Sequence, residues 1–205
     1  MNGIVRQSSG MSPEGAQYRR RRMGSLEPLV RAARESRAPV GVATRLIAID
    51  GPGGAGKTTL AARLADELQA AVIHTDEFAS WDNPIDWWPE MLERALTPLA
   101  AGESARYQPT AWGDEERAPV VVEPGGTVVL EGVTASRRVF RPYLAYSIWI
   151  ETARALRLRR GIDRDGEDAR VQWERWMAEE DRYIESERPY EHVDVVLRGD
   201  RDLWR

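Results

Sequence analysis

The hydrophobic positions of this chain change period several times, and each change marks an element. Arg45-Leu-Ile-Ala-Ile-Asp50 is a short continuous apolar run with a charge at each end, the pattern of a strand buried on both faces. It leads into a glycine-rich stretch. Beyond that, Leu60, Leu64 and Leu68 recur every four residues and predict a helix over Thr58–Ala70. Ala71–Thr75 reads as a second strand. Ile85–Ala101 carries Trp88, Leu92, Leu96 and Leu99 at helical spacing despite Pro89 and Pro98, whereas Gly102–Pro119 has no period and reads as loop. Val120–Val122 and Thr127–Leu130 predict strands split by the turn Glu123-Pro-Gly-Gly126. Tyr146–Ile150 reads as a strand, Thr152–Asp163 as a basic helix, Asp168–Glu185 as an amphipathic helix and Val193–Leu197 as a last strand. Strands alternating with helices predict an α/β fold: a three-layer sandwich around a mainly parallel, five-stranded sheet.

Upstream of this alternation, Leu26, Leu29, Val30 and Ala33 predict a short amphipathic helix, with Ser25 as its N-cap. Residues 1–24 are rich in Ser, Gly, Gln and Arg, include the run Arg19–Arg22 and show no apolar period. They are expected to form a disordered basic tail, with an arm against something anionic as the alternative. Residues 25–205 are expected to form a single domain.

Charge narrows the partners. The formal net charge is -4, but residues 1–44 carry eight arginines against three acids. The remainder carries 21 basic residues against 30 acids, or -9. So acidic a domain is a poor match for a nucleic-acid backbone. No apolar window is long enough for a membrane span, no apolar run follows the N-terminal charges as in a secretory signal, and there is no cysteine. A cytoplasmic location is the expectation. Of the 29 basic residues, 28 are Arg and only one, Lys57, is Lys.

That lysine stands in Gly51-Pro-Gly-Gly-Ala-Gly-Lys-Thr-Thr59, which fits Gly-x4-Gly-Lys-Thr between a predicted strand and a predicted helix. The residue types match phosphate binding. Gly51, Gly53, Gly54, Ala55 and Gly56 let the backbone come close and aim N–H groups at phosphate oxygens, and the helix N-terminus adds its dipole. Lys57 would supply a compact charge at the β and γ phosphates, the Thr58 hydroxyl would ligate Mg²⁺, and Thr59 would join the nucleotide-binding residues. ATP and Mg²⁺ are therefore the expected ligands, with an unidentified small molecule as acceptor.

Two strands end in acids, Ile73-His-Thr-Asp76-Glu77 and Val129-Leu-Glu131-Gly132. In an open parallel sheet both ends fall on the side of the glycine loop. One carboxylate could hold the metal and its waters while another orients the acceptor hydroxyl; capping of the following turns is the alternative reading. Asp50, just before the loop, is a third candidate or a turn cap. Further on, Arg154, Arg157, Arg160 and Arg164 line one helix face at spacings of three, three and four. Such a stripe needs an anion opposite: the transferring phosphoryl group, or neighbouring Asp163, Asp165, Glu167 and Asp168.

Over residues 40–200 the chain resembles the uridine kinase family of P-loop small-molecule kinases. The likeness lies in Ile47–Thr59, in Asp76 followed by Phe78, in Trp81-Asp-Asn-Pro-Ile-Asp86 and in Val128-Val-Leu-Glu-Gly132. It continues in Arg157-x2-Arg160-x3-Arg164-Asp165 and Val193-Asp-Val-Val-Leu197. The resemblance implies that Asp76 is the base at the acceptor hydroxyl and also faces the metal, that Glu131 belongs to the metal site, that Arg160 and Arg164 act in catalysis from a helical lid over residues 152–170, and that Arg157 contacts ATP. A nucleoside monophosphate kinase and an ATP-binding accessory protein are the alternatives. The family's Pro-x-Tyr-Asp element corresponds to Tyr107-Gln-Pro-Thr-Ala-Trp-Gly-Asp114, and no histidine lies between His74 and His192. A different acceptor pocket is expected. Trp81, Trp87, Trp88 and Trp112 could stack on a flat acceptor or simply pack.

Overall fold

The computed structural model describes residues 26–80, 83–110 and 117–200. The basic tail, Ser25, Trp81 and Trp112 lie outside these residues. The central sheet has five parallel strands, β1 (Arg45–Asp50), β2 (Ala71–His74), β5 (Thr127–Glu131), β6 (Leu144–Glu151) and β7 (Val195–Arg198), in the order β2-β5-β1-β6-β7. The five-stranded α/β sandwich is thus as expected.

Period-two alternation assigns each strand residue to a layer. On one face Ile47, Ile49, Val129, Ile148 and Ile150 pack against Leu29 and Val30 of α1 (Glu27–Glu35) and Leu60 and Leu64 of α2 (Lys57–Leu68). On the other, Leu46, Ala48, Val128 and Leu130 meet Met91, Leu96 and Leu99. Those three come from a continuous helical stretch, α3 (Trp88–Met91), a π turn (Leu92–Leu96) and α4 (Thr97–Ala101). Pro98 has no N–H to return to the carbonyl of Arg94, and the helix widens just before it. Because helices cover both faces, the strands read as mainly apolar runs without polar alternation.

The loop expected over Gly102–Pro119 contains a strand. β3 (Ala105–Tyr107) pairs antiparallel with β4 (Val120–Val122), so Val120–Val122 leaves the main sheet for a two-stranded ribbon. Three residues on each side are too few to show a period in sequence. Near the C-terminus, α5 (Arg154–Asp165) and α6 (Arg170–Glu187) are joined through a 3₁₀ turn at Glu167–Ala169. Gly161 of α5 leaves the room that the Trp173 ring of α6 fills, which brings the two helices together beside the glycine loop. Among the described residues no helix is long and apolar enough to cross a membrane.

Candidate functional site: a phosphate-type loop beside strand-end carboxylates

The glycine loop leaves the C-terminal end of β1, between β5 and β6, where the chain progression across the sheet reverses. Gly51, Gly54 and Gly56 have φ of 147°, 72° and 99°, values that side-chain-bearing residues rarely adopt. Gly56 precedes α2, and the helix starts without a side-chain cap. Its first N–H groups and dipole are thus directed at the loop. A Cβ on Gly51 would lie 2.6 Å from the Ile150 carbonyl, and one on Gly54 2.7 Å from that of Arg157. Close approach as well as φ therefore requires glycine.

Several side chains fasten the carbonyls of the loop. Lys57 is buried, and its Nζ donates to the Pro52 carbonyl at 3.0 Å. Thr152 donates to the Ala55 carbonyl at 3.2 Å, and Arg160 donates to the carbonyls of Gly54 (3.0 Å) and Gly199 (2.9 Å). With these carbonyls engaged, a loop of this kind can turn its remaining N–H groups toward an anion.

Asp50 belongs to this frame and has no surface exposure. It accepts hydrogen bonds from the N–H groups of Gly51, Thr134 and Ser136, from the Ser136 hydroxyl and from Tyr183. Of the two readings open for Asp50, the structure takes the turn cap.

Thr58 and Glu131 meet beside the loop. Thr58 Oγ1 donates to Glu131 Oε1 at 3.3 Å, and His74 Nδ1 lies 2.7 Å from Glu131 Oε2. Burial pushes the Glu131 carboxyl upward. The His74 hydrogen bond, the charges of Lys57 and His74 and the Thr58 hydrogen bond outweigh it, so the net shift is downward. The bond to Glu131 raises the imidazole of His74 against its burial, helped by the charges of Glu131, Asp76 and Glu77. His74 escaped the sequence reading; only the register of β2 on β5, His74 opposite Glu131, brings them together. Among the described residues no group of three or more His, Asp or Glu is set to hold a metal by itself. A hydroxyl beside one carboxylate suits a cation that keeps waters and phosphate oxygens among its ligands, as Mg²⁺ does.

Asp76 and Glu77 divide their work within one 3₁₀ turn, Thr75–Glu77. Asp76 is open to solvent on one side. It is nevertheless crowded enough that burial, then the Glu131 charge, raises its carboxyl, with His74 and Arg117 pulling the other way. Glu77 is buried and accepts from Tyr107 (2.6 Å) and Arg117 (2.8 Å), while its carbonyl accepts the N–H of Thr110 (2.7 Å). Tyr107, Thr110 and Arg117 are therefore all fastened to Glu77, next to Asp76. Trp87 is buried against Phe78 and Phe140, and Trp88 lies under the Arg137 guanidinium. These two tryptophans pack.

The arginine stripe finds its anions mostly on α6. Arg154 pairs with Asp181, and buried Arg157 with Glu180 at 3.1 Å. Arg160 binds backbone carbonyls, as described. Arg157, expected at ATP, and Arg160, expected at the phosphoryl group, are thus engaged behind the loop. Arg164 has the most exposed side chain of the ion-paired three, bidentate on Asp165 at 2.7 and 2.8 Å and stacked 5.5 Å over Trp173. That hydrogen bonding raises its guanidinium, with the Asp76 charge adding to the effect. Asp163 and Asp168 play no part in these pairings, and Glu167 pairs with Arg170.

Comparison with known proteins bears on the fold. No family model matches the chain, and no curated protein matches it in sequence. A possible uridine kinase from Bacillus stearothermophilus superimposes with a TM-score of 0.64 at 19% identity, over 84% of this chain and 96% of that one. A candidate fructose transport system kinase from Silicibacter sp. TM1040 gives a TM-score of 0.61 at 19% identity, over 84% and 98%. With the parallel sheet, the glycine loop at its reversal point and the helix pair beside it, the chain has the fold of the uridine kinase-like P-loop kinases.

Proposed function

We propose that this protein is a phosphotransferase that moves the γ-phosphoryl group of ATP, with Mg²⁺, onto a hydroxyl of a small molecule, nucleoside-like molecules among them. The observation that carries this reading is the grouping at the sheet's C-terminal edge. A glycine nest with a buried lysine lies next to the Thr58–Glu131 pair, and a separate carboxylate, Asp76, stands in the next turn.

Phosphoryl transfer asks a protein mainly for positioning and charge stabilisation. The loop N–H groups, Lys57 and the α2 N-terminus would hold the β and γ phosphates. Thr58 and Glu131 would hold Mg²⁺, which supplies further charge neutralisation when bound. Asp76 would accept the proton of the acceptor hydroxyl as its oxygen attacks the γ-phosphorus and the bond to the ADP oxygen breaks. Its upward shift suits a base that must hold a proton briefly. Arg164, released from Asp165, is the guanidinium free to follow the transferring charge. Arg157 and Arg160 would support the nucleotide through the loop, not by direct contact.

Coupled detection of ADP across nucleosides, sugars, vitamins and aminocyclitols tests the reading. Acceptor-dependent ADP release is expected. Release indifferent to every acceptor would favour an ATP-binding accessory protein.

A further inference from the structure

One side chain behind the loop is paradoxical. Glu180 of α6 places an acidic side chain with no surface exposure directly against a loop built for anions. Its Oε1 accepts the N–H of Gly53 at 2.8 Å, and its Oε2 accepts from Arg157 at 3.1 Å. The carbonyl of the same Pro52–Gly53 peptide accepts from Lys57 Nζ at 3.0 Å and from the N–H of Ala55 at 3.2 Å. One peptide plane is thus gripped at both ends.

We propose that Glu180 is a positioning residue of the phosphate loop: it fixes the Pro52–Gly53 peptide so that the following N–H groups are already turned to the triphosphate. Two observations and one general consequence support it. Gly53 is not among the glycines with positive φ; what demands glycine there is α6, since a Cβ would lie 2.8 Å from Glu180 Oε1 and 3.0 Å from the Trp173 ring. Glu180 faces two cations, Lys57 and its ion-pair partner Arg157, so a single carboxylate stands behind the loop without reversing its positive charge. And a loop held in its binding conformation has less ordering entropy to lose when the ligand arrives. Buried Arg157 is then the counter-ion that makes the anchor compatible with an anion site.

The inference rests on the nucleotide-binding reading, and Mg·ADP is the probe. Glu180→Gln keeps an acceptor oxygen for Gly53, whereas Glu180→Leu fills the space with none. Titration below the melting temperature of each variant should show Glu180→Leu weakened about tenfold or more, the scale of one net hydrogen bond plus the lost preorganisation. Glu180→Gln should recover most of that affinity. Amide exchange at Gly53 in the nucleotide-free protein should quicken in Glu180→Leu and stay slow in Glu180→Gln. A Glu180→Leu protein that binds Mg·ADP within twofold of the native chain overturns the proposal, as does a Gln variant no better than Leu. If the Leu variant does not fold, Glu180→Asp replaces it, its carboxylate one methylene short of Gly53. It is judged by the same affinity and exchange criteria. A native chain that binds no Mg·ADP removes the nucleotide reading itself, which is a different result from equal binding by native and variant.

Discussion

Tyr183 of α6 donates its phenol hydrogen to Oδ2 of Asp50 at 2.7 Å, in the fully buried space under the glycine loop. Asp50 also holds the N–H groups of Gly51, Thr134 and Ser136. A single carboxylate therefore joins the start of the loop, the segment after β5 and the helix behind both. The Tyr183 hydroxyl stays protonated far into the alkaline range, because burial and then the Asp50 charge oppose its ionisation. Tyr183→Phe should lower unfolding free energy by about 1–2 kcal/mol, since one donor to a charged acceptor is lost. Asp50→Ala should lower it by about 3 kcal/mol or more, because several buried donors lose their partner together. Denaturant midpoints measure both, and equal small losses would show that the network is not cooperative.

Nucleotide should stabilise the fold. At about 100 times its dissociation constant, Mg·ATP should add about 2.7 kcal/mol, visible as a raised melting temperature. Lys57→Ala should abolish the shift. Lys57→Arg should nearly do so, because a planar guanidinium does not fit where a buried ammonium meets the Pro52 carbonyl. An Arg variant with the native shift would mean that Lys57 does not grip the triphosphate.

The Thr58–Glu131 pair predicts a metal-linked effect. Glu131→Gln should weaken binding of ADP in the presence of Mg²⁺ by about tenfold or more, and change binding in excess EDTA far less. Calorimetric titrations under the two conditions check it; equal losses in both would detach Glu131 from the metal.

Asp76→Asn should leave Mg·ADP affinity near native and lower turnover on an identified acceptor by about two orders of magnitude or more. Retained turnover would remove Asp76 as base, whatever its position beside Glu131.

The Glu77 fastening predicts a separate effect on the acceptor side. Tyr107→Phe removes one of the two side-chain donors to a buried carboxylate, so stability should fall by about 1–2 kcal/mol. KM for the acceptor should rise while nucleotide affinity holds. A change confined to nucleotide affinity would show that the Glu77 contacts do not shape the acceptor side.

The local pattern alone determined a great deal. Five of the six runs read as strands became the five parallel strands, since strands covered on both faces are largely apolar; the sixth, Val120–Val122, went to the ribbon. Gly51–Thr58 was legible because positive φ and close backbone approach restrict residue type at fixed offsets. The ends of β2 and β5 were readable as neighbours of that loop, because parallel strands align their C-terminal ends. Tertiary structure decided which charges face which. His74 meets Glu131 only through the β2–β5 register. Arg157 looked like a nucleotide ligand until α6 supplied Glu180, 23 residues along the chain. Glu77 was indistinguishable in kind from adjacent Asp76 until Tyr107 and Arg117 closed on it. Residue type and spacing report what the backbone can do locally, whereas the partner of a charge depends on which distant element packs against it, and no local period carries that information.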